Sequence, residues 1–373
     1  SVIINRASYN EDLTNVREAI KELGKYELRK YELNRQKQIL ARKNGQYLGI
    51  GVSFGVKGTG RGPFETATVR IGTSGKIFIY TGAAPMGQGT HTMIAQVVAE
   101  QLGGNMNNIE VVAGDTAQIQ MGMGGFGSRQ TITAGSSAHI AAIEVRKKAL
   151  KVAANLLEAS EEDLEIIDGK ISVKGVPEIS VTLGKIAHAV AGTPGYALPA
   201  GITPGMESTQ NFLTDPLAYC YGSHICEIEA DPETGGVSIL KYTIVHDSGT
   251  LINPMIVTGQ VQGGVTHGIG NAFFEWMGYD DDAQPVTNNF GEYLLPSAPE
   301  TPNFDIEFLE SPSPLNPLGV KGAGEGSTVP AAAAVISAIE DALTPFKVHI
   351  TEAPVTPARL VELIKNKKST FAA

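Results

Sequence analysis

Three glycine-rich loops with polar tips could carry chemistry in this sequence, and each runs into a stretch of helical character. The first is Pro85-Met86-Gly87-Gln88-Gly89-Thr90-His91-Thr92 and the second spans Gly122 to Ser128. The third is Leu318-Gly319-Val320-Lys321-Gly322-Ala323-Gly324-Glu325-Gly326. Backbone N–H groups at a helix N-terminus, with no Cβ in the way, make an anion site. Three such loops suggest a large polyanionic ligand held from several directions, although composition alone slightly favours glycines that serve only turn geometry. No G-x-x-x-x-G-K-[ST] loop occurs, and no clean dinucleotide fingerprint follows a strand in a βαβ unit. Glu325 has two readings: a base, if burial raises its pKa toward working pH, or a carboxylate set against the dipole of the next helix. By position alone the second is favoured. His91, His139, His224, His246 and His267 show no metal-ligand spacing and read as polar helix or strand positions. Cys220 and Cys226 are too few for a disulfide framework, a four-cysteine zinc site or an iron–sulfur cluster. They read as buried small side chains.

The elements that must position these loops are legible in outline. A densely charged stretch, Glu11 to Lys43, reads as one long helix or a broken pair, suited to a linker. From Tyr47 the texture turns to strands and loops. Thr66 to Ile71 and Lys76 to Tyr80 alternate as strands around a tight turn at Gly72–Gly75. The spacing predicts a helix over Thr90 to Leu102, a strand over Ile109 to Ala113, and a long helix ending near Ala159. Later, Ile225 to Ala230 and Val237 to Val245 read as strands, followed by a helix over Gln260 to Ala272. The segments MGQGTHTMIAQ from Met86 and TGQVQGGVTHGIG from Thr258 both follow a strand pair and both place Gly-Gln at an expected helix start. We therefore expect an α+β fold of two related mixed α/β units, with Asp163 to Gln210 between them. The expected division is 1–45 as a helical linker, 46–175 as the first unit and 176–373 as the second. Helices are expected over Pro330 to Leu343, with Pro330 suited to a first helical position, and over Thr356 to Lys365. Phe273, Phe274 and Trp276 are expected in the core.

Composition sets outer bounds. The 373 residues suffice for two domains, and hydrophobic and charged shares of 42% and 18% are ordinary for a globular protein. A net charge of −10, with no basic block beyond the mixed-charge N-terminal stretch, argues against nucleic acid. No apolar run reaches the ~18 residues of a membrane span, and no signal peptide is visible. The sequence opens without methionine, so either a start residue was removed or this is a piece of a longer polypeptide. A reducing, cytoplasmic setting is the default expectation.

The loops in order carry a resemblance. Pro85 to Thr92 resembles the MGQG segment of the molybdenum hydroxylases, the family of xanthine dehydrogenase, aldehyde oxidoreductase and aerobic carbon monoxide dehydrogenase. Gly127-Ser128-Arg129-Gln130-Thr131 is similar to the GSR loop of the carbon monoxide dehydrogenase-like branch. Asp247-Ser248-Gly249-Thr250-Leu251-Ile252-Asn253-Pro254, with Gly259-Gln260-Val261-Gln262-Gly263-Gly264, resembles the DxGxxxNP…GQVxGG stretch. Tyr293-Leu294-Leu295-Pro296 and Val320 to Gly326 complete the ordered set. It runs from about Tyr47 to the C-terminus and corresponds to the C-terminal half of a large subunit.

The resemblance implies molybdopterin with molybdenum, in bacteria usually as the cytosine dinucleotide, with the metal held through the pterin and not by protein ligands. Met86, Gly87, Gln88, Gly89 and Thr90 would contact it near its metal end. Gly127, Ser128, Arg129, Gln130, Thr131 and Thr133 would line the pterin or phosphate side. Gln260, Gly263 and Gly264 would form the opposite wall, with Lys321, Gly322 and Gly324 in the third loop. His267 would lie near the cofactor and Asp247 would anchor a loop. Glu325 would be the base that takes a proton as water-derived oxygen is transferred to an electrophilic carbon. The implied reaction is hydroxylation of an aldehyde or N-heterocycle. A carbon monoxide dehydrogenase-like or reductive branch, or a non-catalytic cofactor binder, is the alternative. The family's other large-subunit half is not found in this sequence, so the implied partners are that half, on its own chain as in split members such as nicotinate dehydrogenase, or lost. FAD and [2Fe–2S] subunits and a small-molecule substrate complete the set.

Overall fold

The computed structural model describes residues 33–369, except 193 and 215. Most of the expected N-terminal charged helix therefore lies outside the described residues; its end is helix α1, over 33–43.

Two four-stranded sheets organise the chain. Strand β1 (Tyr47–Thr59) joins β9 (Ala218–Ala230), β10 (Val237–Asp247) and β11 (Phe304–Leu309) in the order β1-β9-β10-β11. The other sheet has the order β4-β3-β2-β8, from β2 (Phe64–Ile71), β3 (Ile77–Thr81), β4 (Ile109–Ala113) and β8 (Glu207–Leu213). In both, an antiparallel hairpin (β2–β3, β9–β10) is followed by a loop, a helix and a strand parallel to the second hairpin strand. The helices are α2 (Thr90–Leu102) and α5 (Pro254–Phe273). A second long helix completes each unit: α3 (Ser136–Leu157), entered through one wide π turn at Thr131–Gly135, and α6 (Thr328–Ala342). The two related units thus share one topology. Their fourth strands are exchanged along the sequence, since β1 precedes the first unit yet belongs to the second sheet, and β8 follows the middle segment yet pairs with β2. Residues between the units form the sheet β5-β6-β7 (Leu164–Ile167, Lys170–Val173, Val176–Thr182) and α4 (Leu183–Val190). Helix α7 (Pro357–Ser369) closes the chain.

Each unit has its own core. Ile79, Ile94, Val98 and Leu102 pack with Ala138, Ala142 and Val145 of α3 in the first. Ile228, Ile244, Val265 and Ile269 pack with Ala334, Val335 and Ile339 in the second. The alanine-rich α6 rests almost on the backbone of β1. A Cβ added at Gly51 would fall 1.9 Å from the Ala334 carbonyl, and one at Gly49 2.0 Å from that of Ala338. Those glycines therefore set the helix–sheet distance, and through it the position of the loop that precedes α6.

Three expectations change. Helix α6 begins at Thr328, so Pro330 takes its third position and not its first. Helix α5 begins at Pro254, not Gln260, because the Asn253 side chain caps it by accepting from Ile256 N–H and Pro254 takes the first turn. Trp276 is 53% exposed and lies outside the core, because the chain leaves α5 at Phe273; Phe273 and Phe274 stay half-buried against the second core. Cys220 and Cys226 are buried and unpaired with each other. No helix among the described residues is long and apolar enough to cross a membrane.

Candidate active site and cofactor cleft

The loops that follow β3 and β4 in the first unit, and those that follow β10 and precede α6 in the second, meet around one cleft of about 630 Å³. Met86, Gly87, Gln88 and Thr90 line one side, 125–131 a second, and Ser248, Thr250, Asn253 and Gln260 a third. Residues 321–325 form the remaining wall. Segments separated by more than 230 residues in sequence therefore share one cavity.

Buried polar side chains hold the loops in place. Arg129 is fully buried, and its guanidinium bridges the Glu65 carboxylate (2.7 Å) and the carbonyls of Arg61, Phe64 and Gly124. Glu65, also fully buried, accepts from the backbone N–H of Thr66 and Met123. This pair ties the second glycine-rich loop to the start of β2. Gln130 plays the equivalent part across the cleft floor: its Oε1 accepts from Gln88 Nε2 and Thr90 Oγ1, while its Nε2 donates to Ala84 O. Gln88 Oε1 in turn accepts from Met86 N–H. In the second unit, Asp247 anchors its loop as expected. Its carboxylate accepts from Gly249 N–H and from the Ser311 hydroxyl, and it lies 3.3 Å from the buried Lys321 ammonium. Lys321 also donates to Ser311 Oγ and sits over the Tyr221 ring.

Glu325 stands at the cleft wall with its side chain 55% exposed. Its Oε2 accepts from Lys57 Nζ (2.7 Å) and Ser128 Oγ (2.9 Å). Its own N–H donates to Ser128 Oγ at 3.1 Å. Oε1 has no partner among the described residues. Desolvation pushes this carboxyl up, but the Lys57 and Ser128 hydrogen bonds, together with the charges of Lys57 and Arg61, outweigh it and hold the group below the usual carboxylate range. The expected upward shift is reversed, because the side chain is half-exposed and β1 supplies a cation. The carboxylate is not bound to the amides of α6, so the dipole-capping reading finds no contact. Ser128 reaches Glu325 from a left-handed conformation, φ +51°, costly for a non-glycine residue. Beside it, a Cβ at Gly322 would fall 2.1 Å from Ser128 O and 2.8 Å from Thr59 Cβ. Glycine at 322 is what lets three elements converge there.

Other expected residues separate into those on the cleft and those off it. Gly89 and Thr133 are off it, Thr133 because its hydroxyl bonds the Arg129 carbonyl within the π turn. Gly264 lies against α6, where a Cβ would fall 2.2 Å from Ser327 Oγ, and Gly263 faces solvent. Both glycines stand one turn further along α5 than Gln260, which is the residue of the three that reaches the cleft. His267 is exposed, 3.9 Å from Glu275, and does not line the cavity. Arg129 and Lys321 are part of the wall, and their charged ends are engaged in the networks above. Sequence reasoning missed Lys57 and Ser248. Nothing local marks a strand lysine whose partner lies 268 positions away.

Reasoning from spacing also separated two histidines that the sheet unites. His224 and His246 are both fully buried on adjacent strands, and neither nitrogen of His246 has a partner among the described residues. His224 Nδ1 lies 3.0 Å from the Tyr242 hydroxyl. Burial drives His246 down to about 4 and His224, also disfavoured by its neighbour, to about 3. Both are therefore neutral when folded, while the unfolded chain takes up their protons near the ordinary value of about 6.5. Stability from this source is complete above pH 6.5 and is lost as pH falls toward 4, a change on the order of several kcal/mol. Urea midpoints should hold nearly level from pH 7.5 to about 6.5 and then fall steadily to pH 5. A flat profile there would contradict it.

The cleft suits a polar, anionic organic cofactor. The N-terminus of α2 and the entry to α3 open on it with no side-chain cap of their own, leaving backbone donors for a ligand. The Ser248 hydroxyl on its wall is buried with no partner among the described residues, a group that a bound molecule can satisfy. Amide and hydroxyl side chains share the lining with apolar ones such as Met86, Met93, Phe126 and Ile256, and no cluster of three His, Cys, Asp or Glu with metal-holding geometry occurs among the described residues.

Comparison with known proteins agrees with that chemistry. A family model described as the molybdopterin cofactor-binding domain matches residues 25–302. The nicotine 6-hydroxylase large subunit of Paenarthrobacter nicotinovorans is 39% identical over 342 residues, which cover 88% of this chain and 42% of that protein. The carbon monoxide dehydrogenase large chain of Afipia carboxidovorans is 32% identical over 338 residues, 88% of this chain and 41% of that one. The crystal structure of quinoline 2-oxidoreductase from Pseudomonas putida 86 superposes with a TM-score of 0.84 at 36% identity, over 93% of this chain and 45% of that one. The chain thus spans less than half the length of these relatives. With the ordered loops, the shared fold and the matched domain in hand, the chain belongs to the molybdopterin cofactor-binding family of molybdenum hydroxylase large subunits.

Proposed function

We propose that this chain is the cofactor-binding part of a molybdenum hydroxylase that inserts water-derived oxygen into an N-heterocycle or an aldehyde, with Glu325 as the base. The single observation that carries the reading is the Glu325 carboxylate, fixed at the cleft wall through one oxygen by Lys57 and Ser128. Relatives named for nicotine and quinoline make an N-heterocycle the first substrate class to test.

When bound, the cofactor supplies a redox centre that accepts two electrons from the substrate. The rest falls to the chain's own residues. Gln88, Thr90, Ser128, Gln130, Thr131, Ser248 and Gln260 would hold the pterin and its phosphates, with Met86, Gly87, Gly322 and Gly324 giving backbone close approach. Glu325, kept ionised by Lys57, accepts a proton at Oε1 while Oε2 stays anchored. Lys57, on β1, keeps Oε2 in place and favours return of that proton to solvent, since its charge stabilises the ionised carboxylate. The expected form of the cofactor is the cytosine dinucleotide. FAD and [2Fe–2S] subunits would carry electrons away, and the remainder of the large subunit would close the cleft. A reducing cytoplasmic setting is part of this reading, with both cysteines unpaired.

The deciding experiment is metal and nucleotide analysis of the complex purified from its native host, with every co-purifying chain identified. Molybdenum, a cytosine nucleotide released on hydrolysis, and flavin and iron–sulfur chains are expected. A preparation with neither molybdenum nor pterin would overturn the proposal. Gln88→Ala, which removes both the Met86 and the Gln130 contacts, should lower molybdenum content several-fold. A normal load in that variant would leave the first loop with no part in cofactor binding.

A further inference from the structure

Strand β1 ends its sheet, so one of its edges meets no other strand among the described residues. Residues of an antiparallel strand alternate between those that exchange hydrogen bonds with the neighbour and those whose N–H and C=O point away. The Leu48 carbonyl accepts from Gln38 Nε2 and the Ile50 N–H donates to Asp341 Oδ2. The even-numbered residues are therefore the outward ones, and α1 and α6 cover the edge only at its start. Over 52–56 no group among the described residues takes the outward N–H and C=O. The side chains of the same positions, Val52, Phe54 and Val56, lie on the face opposite α6 and are 54%, 40% and 45% exposed.

Sheet proteins protect such edges with lysine, proline, a bulge or a covering element. The run Val52-Ser53-Phe54-Gly55-Val56 has no charge and no proline, and its register with β9 is unbroken. Outward backbone groups combined with apolar side chains at alternate positions are what strand addition recognises.

We propose that the edge of β1 over 52–56 is the docking site for a β-strand from the remainder of the large subunit. Two observations select that occupant. The chain spans 42% of the nicotine 6-hydroxylase large subunit and 45% of the quinoline 2-oxidoreductase chain, so more than half of the length of each has no counterpart here. And β1 runs directly into the cleft wall: Lys57 pairs with Glu325, and Thr59 Oγ1 accepts from Gly322 N–H. A strand added along 52–56 delivers its own chain to the mouth of the cavity. The inference rests on the proposed companion part of the large subunit and specifies where it attaches.

The test is residue-resolved hydrogen exchange on the full chain alone and in the native complex. Alone, the amides of Val52, Phe54 and Val56 should exchange at least ~100-fold faster than those of Gly51, Ser53 and Gly55, which face β9. In the complex the even-numbered amides should become equally protected. Phe54→Pro removes one outward N–H and crowds the edge but leaves the β9 bonds intact. It should keep the melting temperature of the chain and weaken capture of the companion part about 100-fold; should Phe54→Pro fail to fold, Val52→Lys with Val56→Lys asks the same question through side chains. Even-numbered amides that still exchange fast in a complex containing the rest of the large subunit would overturn the docking site alone. So would protection in the isolated chain, whether it depends on concentration, meaning a second copy, or not, meaning the chain's own N-terminal residues. A native preparation with no further large-subunit sequence would instead overturn the reading on which the site rests.

Discussion

Glu325→Gln in the assembled, cofactor-loaded complex should lower turnover by about a thousandfold or more, within the range that positioned acid–base groups contribute, while molybdenum content stays unchanged. Glutamine has the same size and can still accept from Ser128, so the turn before α6 keeps its shape. What it loses is the capacity to take a proton at Oε1 and the ion pair with Lys57. Steady-state rates on an N-heterocycle, measured beside metal content and the thermal midpoint, separate a lost base from a lost cofactor. Because Lys57 and Ser128 hold the carboxyl below its usual range, the wild-type rate should not fall until the pH drops into the lower carboxylate range. The sign follows directly: a base with a lowered pKa is already deprotonated at neutral pH and is lost only on acidification. Activity of the variant within tenfold of wild type would remove Glu325 from the chemistry and leave it a loop anchor.

The largest stability effect should come from Arg129→Met. Arg129 and Glu65 are both fully buried, and the guanidinium also serves three backbone carbonyls. Removing one member leaves an uncompensated buried carboxylate, at a cost of about 3–5 kcal/mol. For a protein of this size that corresponds to a fall of roughly 5 °C in melting temperature. The double variant Glu65→Gln with Arg129→Met should recover part of the loss, since no buried charge then remains. If the single and double variants melt alike, the cost lies in the orphaned carbonyls and not in the ion pair. Loss of cofactor should accompany the single change, because the same side chain holds the loop at 122–128 against β2.

The repeat and the loops were legible in the sequence. Alternation over Thr66 to Ile71 and over Val237 to Val245, and the apolar run after Pro330, depend only on local periodicity, which burial on one face imposes on any strand or helix. The order of the glycine-rich loops was equally plain, because backbone that must approach a ligand or another backbone tolerates no Cβ. Other boundaries were set by capping: Asn253 pulled the start of α5 to Pro254, six residues ahead of Gln260.

What the sequence determined by itself, then, is the paired hairpins and the main helices, their twofold order, and Glu325 as the residue to watch. Only the tertiary structure decided what Glu325 meets. Its pKa direction depends on Lys57, brought from β1 by an antiparallel pairing with β9 that no local pattern encodes. Only the sheet registers placed His224 beside His246, buried Arg129 and Lys321 in networks of their own, and left the β1 edge open at 52–56. The physical reason is common to all of these. Periodicity reports which face of an element is buried, whereas charge compensation, proton affinity and unpaired backbone depend on which distant element arrives at that face.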